Sequence, residues 1–108
     1  MPMRDATIEA CDMNLRFEWD DNKAAANLQR HGVSFEEAQT VFYDPLARIF
    51  DDEVHSVEEH REIIIGHSIN HRLLLVCFTE RAPLLIRIFS ARPATRKERK
   101  DYEENRYL

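Results

Sequence analysis

Lys23, Asn27 and His31 recur every four residues, so on a helix a cation, an amide and an imidazole share one stripe. Such a stripe can bind a phosphate and move a proton near neutral pH. The same spacing also suits a solvated helix face, with His31 favoured at the helix C-terminus by the dipole. A second group of candidates lies in the last third. There the apolar run Leu84–Ala91 leads into Arg92-Pro93. From Arg81 to Lys100 seven Lys or Arg stand against one acid, a local charge of +6 in a chain whose net charge is −5. Segregation of that kind implies a localised anion site rather than a surface that coats nucleic acid.

Arg61 opens one apolar strand, Arg81 sits in the turn before another, and Arg92 ends it. Adjacent strands bring two or three of these guanidinium groups to one end of a sheet, where each offers bidentate contacts to phosphate oxygens. The alternative is that they pair with Glu58, Glu59 or Glu62 at the sheet edge. Arg87 shares a strand face with Leu85 and Phe89 and reads as structural. Ser90, beside Arg92, is a phosphate hydrogen-bond donor rather than a nucleophile, because no base is indicated near it. Arg96 and Lys97 belong to a solvated basic helix face whose charge raises the local concentration of a polyanion.

Other chemistries find little support. His55, His60, His67 and His71 lack the spacing of a helical metal site, and Cys11 and Cys77 are isolated, so no metal is expected. Two glycines cannot build a Gly-rich phosphate loop, so no nucleotide cofactor is expected either. The isolated cysteines fit a reducing cytoplasm. The apolar runs are strand-sized, too short to span a bilayer.

The elements that must position these groups follow from capping and periodicity. Residues 1–14 show neither period and are expected to be a poorly ordered leader before a single domain over 15–108. Arg16–Trp19 alternates as a short strand. Asp20 or Asp21 caps a helix to His31, closed by Gly32. Ser34 and Glu37 form a capping box for a second helix through about Phe42, stopped at Asp44-Pro45. Leu46–Phe50, Arg61–His67, Arg72–Thr79 and Leu84–Ala91 are strands, the last three an antiparallel meander. Thr95 and Glu98 form another capping box, opening a terminal helix with a small apolar face and hence a loose dock. The expectation is an α+β fold: a small antiparallel sheet with two N-terminal helices and one C-terminal helix, in the order β-α-α-β-β-β-β-α.

Taken together, several of these residues resemble the BrnT-type toxins. Phe17-Glu18-Trp19-Asp20, Lys23, Asn27 and His31-Gly32-Val33-Ser34-Phe35-Glu36-Glu37-Ala38 are similar to the opening of that family. The likeness continues through Phe42, Asp44-Pro45, Arg61 with Gly66, Arg87-Ile88-Phe89-Ser90-Ala91-Arg92, Glu98-Arg99 and Tyr102, over about residues 15–105. Phe89 replaces a more usual aliphatic residue, with an effect expected on packing only. Arg81 and Glu59 stand where the family pattern is looser.

The resemblance implies a RelE-like ribonuclease fold and a toxin paired with a BrnA-type antitoxin in a type II module, blocking translation by cutting RNA. His31 would then do the proton work, with Lys23 as charge partner or alternative acid. Arg61 and Arg92 would clamp the phosphate, helped by Arg81, Ser90, Asn27, Arg96 and Lys97. Residues 34–62 carry nine acids and two bases. That surface repels RNA and suits a basic antitoxin segment, expected to cover the arginine site in a hetero-oligomer and to displace the terminal helix. Without the resemblance, a non-catalytic nucleic-acid-binding module stands level with an enzyme; the other rival is an interaction protein with purely structural arginines.

Overall fold

Asp20 and Gly32 set the limits of the first helix. In the computed structural model, which describes residues 14–56 and 58–104, the Asp20 carboxylate accepts from the Lys23 N–H at 3.0 Å. Gly32 turns left-handed at φ 69°, so its N–H reaches the Leu28 carbonyl at 2.8 Å. Between them runs α1 (Asp21–His31), preceded by β1 (Arg16–Glu18) and followed by α2 (Phe35–Thr40) and a 3-10 turn at Val41–Tyr43. Then come β2 (Arg48–Asp51), a 3-10 turn at Glu53–His55, β3 (Glu62–His67), β4 (Leu73–Ala82), β5 (Leu85–Pro93) and α3 (Arg96–Glu103). The order is the expected one. The leader assigned to residues 1–14 lies, Asn14 apart, outside the described residues, as do Cys11, Tyr107 and Leu108.

The five strands lie in the order β1-β5-β4-β3-β2. Strands β2 to β5 form the antiparallel meander, but β1 pairs with β5 in parallel, Phe17 opposite Ile86. The sheet is therefore mixed rather than wholly antiparallel. The chain leaves β1 through α1 and α2, re-enters at the opposite edge as β2, and returns strand by strand until β5 meets β1. Strand β4 also outruns its expected end at Thr79, reaching Ala82, because Leu84 at φ 66° tightens the turn and leaves Ala82 opposite Leu85.

One face of the sheet carries the main core. Val33, Phe35, Ala38, Val41 and Phe42 from the helical side pack on Ile64, Leu74, Val76, Phe78, Ile86, Ile88 and Ala91. Phe42 meets Phe17 and Phe78 edge-on at 5.2 and 4.9 Å. The helical side presses closely on β3 at Gly66, where a Cβ would fall 2.9 Å from Ala47 Cβ and 3.1 Å from Val41 Cγ1. That close approach is the physical reason for glycine there.

The opposite face is only partly covered. Ile65, Leu73 and Leu75 pack with Ala94 and Tyr102 under α3. No residue of α3 is fully buried, and among its apolar side chains Tyr102 makes the dock. Thr95 and Glu98 complete their capping box, and the Tyr102 hydroxyl donates to the Leu46 carbonyl at 2.9 Å. The other capping box is half formed: Ser34 caps the Glu37 N–H, but the Glu37 carboxylate turns to Ser68 and Arg72.

Candidate active site

A register shift between β4 and β5 shapes the open face. Cys77 faces Ser90 and Phe78 faces Ile88, so Phe89 is the extra residue of a β-bulge. The shift lets Ile88 and Ala91 both enter the helix-side core, which strict alternation forbids, and sends Ser90 and Arg92 to the open face. There they border a cavity of about 320 Å³ beyond the edge of α3's cover. Ile63, Leu75 and Cys77 line it from β3 and β4, Lys23 reaches it from α1, and Asp52 and His55 come from the chain after β2.

Arg61 dominates this cavity. Its guanidinium carbon lies 3.8 Å from the centre of the Phe89 ring, and Lys23 Nζ lies 5.8 Å from the same ring. Phe89, expected to affect packing only, is thus a platform that flattens Arg61 in place. Arg61 Nε is sealed from solvent and has no hydrogen-bond partner among the described residues. Its ion-pair partner Glu59 stands 3.6 Å from Nη2, too far for a strong hydrogen bond. A buried charged donor without an acceptor costs about 1–3 kcal/mol or more, and the fold bears that cost while holding the rest of the guanidinium at the cavity wall.

Arg92 differs. Its two terminal nitrogens grip Glu98 at 2.8 Å each, and this pairing holds the Glu98 carboxyl down at about 2 against the opposing effect of burial. Arg92 therefore lines the cavity and also fastens the first turn of α3.

On the other flank, the buried Asp52 carboxylate holds His55 Nδ1 at 2.9 Å and accepts from Cys77 Sγ at 3.3 Å. Burial alone would raise the Asp52 carboxyl; the bonds from Cys77 and His55 outweigh it and keep it below the usual range. Burial, and then the Asp52 carboxylate, push the Cys77 thiol up to about 12, so it stays protonated and is no nucleophile at neutral pH.

Residues 19–98, spanning both flanks of this cavity, match the family of the ribonuclease toxin, BrnT, of type II toxin–antitoxin systems. The chain belongs to that family. Its fold is similar to that of the Brucella abortus ribonuclease toxin BrnT, solved by crystallography at 1.1 Å resolution. The two are 20% identical with a TM-score of 0.59, over 76% of this chain and 99% of that one. No protein of curated function matches the chain.

In this BrnT-family chain the other anticipated residues divide. His31 lies in an adjoining recess of about 170 Å³ with Arg30, and that recess shares Lys23, Phe89 and Ser90 with the main cavity. The two form one groove, so the helical stripe does reach the arginine cluster. Asn27 also lines that recess, but its amide is engaged within the fold: it donates to the carbonyls of Val33 and Ala91 and accepts from the Ala91 N–H, at 2.9, 2.8 and 3.1 Å. It bolts α1 to β5 behind the site. Asn27→Ala is expected to cost about 1–3 kcal/mol by stranding buried backbone groups, measured as a lower denaturation midpoint.

Arg81 is also misplaced by the sequence reading. With β4 extended it shares Glu18 with Arg87, at 3.5 and 3.0 Å, and lines neither recess. Arg96 and Lys97 are exposed on α3 and line neither recess, Lys97 pairing with Asp101 at 3.1 Å. What the sequence reading missed is Asp52, His55 and the role of Phe89. The available signal was a histidine three residues after an aspartate, hidden in an acidic turn.

Proposed function

We propose that this type II toxin is an endoribonuclease that cuts single-stranded RNA without a metal ion. The 2′-hydroxyl attacks the adjacent phosphorus, the P–O5′ bond breaks, and the products carry a 2′,3′-cyclic phosphate and a 5′-hydroxyl. The observation that carries this reading is Arg61: a guanidinium with a buried, unpartnered Nε, flattened on Phe89 at the wall of the cavity it shares with Lys23 and Ser90. It supplies the fixed, preorganised charge that a phosphorane-like transition state requires. Arg92 adds charge from the same side. Lys23 and His31, along the groove, serve the leaving 5′-oxygen with a proton.

Cleavage of RNA would block translation in the cytoplasm, and a BrnA-type antitoxin would restrain the toxin in a hetero-oligomer. No helix among the described residues is long and apolar enough to cross a membrane. The acidic segment 34–62 suits a basic antitoxin segment. In excess EDTA, purified toxin is expected to cut end-labelled RNA to fragments ending in 2′,3′-cyclic phosphate, and to leave the deoxy copy intact. Equal cutting of the deoxy copy would refute 2′-hydroxyl attack.

A further inference from the structure

In-line displacement at phosphorus moves two protons on opposite sides of the reacting phosphate. One must leave the 2′-hydroxyl and one must reach the 5′-oxygen. The stripe of Lys23 and His31 supplies groups on one flank only. On the other flank Arg61 borders a second recess, of about 240 Å³, whose walls include His55 and Glu59. A phosphate held by Arg61 is therefore bracketed by Lys23 on one side and His55 on the other.

Resting on the ribonuclease reading above, we infer that His55 is the general base for the 2′-hydroxyl and that Asp52 is its positioning residue. Asp52 Oδ2 lies 2.9 Å from His55 Nδ1. A carboxylate there fixes the proton on Nδ1 and leaves the Nε2 lone pair as the acceptor. The carboxylate is rigid, buried and shared with the Cys77 thiol, whereas the imidazole is 62% exposed and open to substrate. The proton passes from the 2′-oxygen to Nε2 as the O2′–P bond forms. Asp52 stabilises the imidazolium without taking the proton, and the P–O5′ bond breaks towards the Lys23 flank. Of the charged groups that face His55, Asp52 stabilises the imidazolium, Arg61 opposes it, and Glu58 and Glu59 border the same recess.

The test uses the full chain, a 5′-labelled single-stranded RNA oligonucleotide, and the variants His55→Ala, His55→Gln and Asp52→Asn. His55→Ala and His55→Gln are expected to lower kcat by about 10²-fold or more with KM within about twofold. Added imidazole should restore the His55→Ala rate at least about tenfold, since the site is open enough to admit it. Asp52→Asn should lower kcat by about tenfold, again with KM held. If the parent cuts RNA and His55→Ala cuts at the same rate, the assignment falls while the ribonuclease reading stands. Loss of activity without imidazole rescue, in a variant that melts like the parent, also overturns it. A parent that cuts no RNA removes both.

Discussion

Arg61→Ala is expected to slow RNA cleavage by about 10²-fold or more while leaving the melting temperature at or above that of the parent. The two halves of that result have one cause. Arg61 Nε is buried without a partner among the described residues, and its contact with Glu59 is long at 3.6 Å, so the folded protein gains little from the side chain's charge. Truncation removes an unsatisfied donor, which offsets the stacking on Phe89 that is lost. In the reaction the charge of the same guanidinium, which lines the cavity, acts on a phosphate oxygen bound there. Arg61→Lys should not restore the rate, because an ammonium has neither the planar fork nor the flat stacking surface.

Arg92→Ala gives the contrasting pattern. It orphans Glu98 and loosens α3, so it should lower activity and melting temperature together. Parallel assays of initial rate and thermal unfolding separate the cases. A fall of several degrees for Arg61→Ala with cleavage intact would make Arg61 a structural residue and sink the proposed mechanism.

What could be read from the chain was largely local. Asp20, Gly32 and Thr95 announce helix ends within a few residues of themselves, and each forms the cap its sequence implies. The hairpin of β3 and β4 follows from two β-branched, leucine-rich runs and a polar turn. Long-range partners were not legible. Nothing in Arg16-Phe17-Glu18 says that it will pair in parallel with β5, and so nothing reveals that Glu18 will hold Arg81 and Arg87 away from the cavity. The bulge at Phe89 needs the register of β4 as well as that of β5. Strict alternation along Ile86-Arg87-Ile88-Phe89-Ser90 would point Ser90 into the core.

The acidic turn misled in another way. Asp51-Asp52-Glu53 reads as solvent-facing charge, yet Asp52 is 7% exposed and organises one flank of the site. Burial of one carboxylate among three depends on Cys77, from β4, coming to meet it, and that is a property of the fold.

Glu37→Ala should do to stability what Arg61→Ala does to rate. Glu37 belongs to α2, yet its carboxylate accepts from Ser68 Oγ at 2.6 Å and from both Nε and Nη2 of Arg72, while Arg72 Nη2 also reaches the Gly32 carbonyl at 2.9 Å. One buried acid thus joins the start of α2, the end of α1 and the β3–β4 turn. Removing it leaves Ser68 and Arg72 without that partner. Breaking a buried pair costs about 3–5 kcal/mol. Arg72 is 38% exposed and can rehydrate, which brings the expected loss to about 2 kcal/mol, or on the order of 10 °C in melting temperature.

The loss should depend on pH. The Arg72 hydrogen bond, against opposing burial, holds the Glu37 carboxyl below its ordinary 4.5, so its contribution is complete above that value and disappears as pH falls through the lowered one. The gap between parent and Glu37→Ala is therefore widest near neutrality and closes in acid. Glu37→Leu combined with Arg72→Met should recover part of the loss, since an apolar pair leaves no stranded charge. Cleavage well below the melting temperature should persist, because neither residue lines the groove. Unchanged melting at neutral pH would show that the network contributes no more than a surface pair, and that α1, α2 and the hairpin are held together by Val33, Phe35 and Leu74 alone.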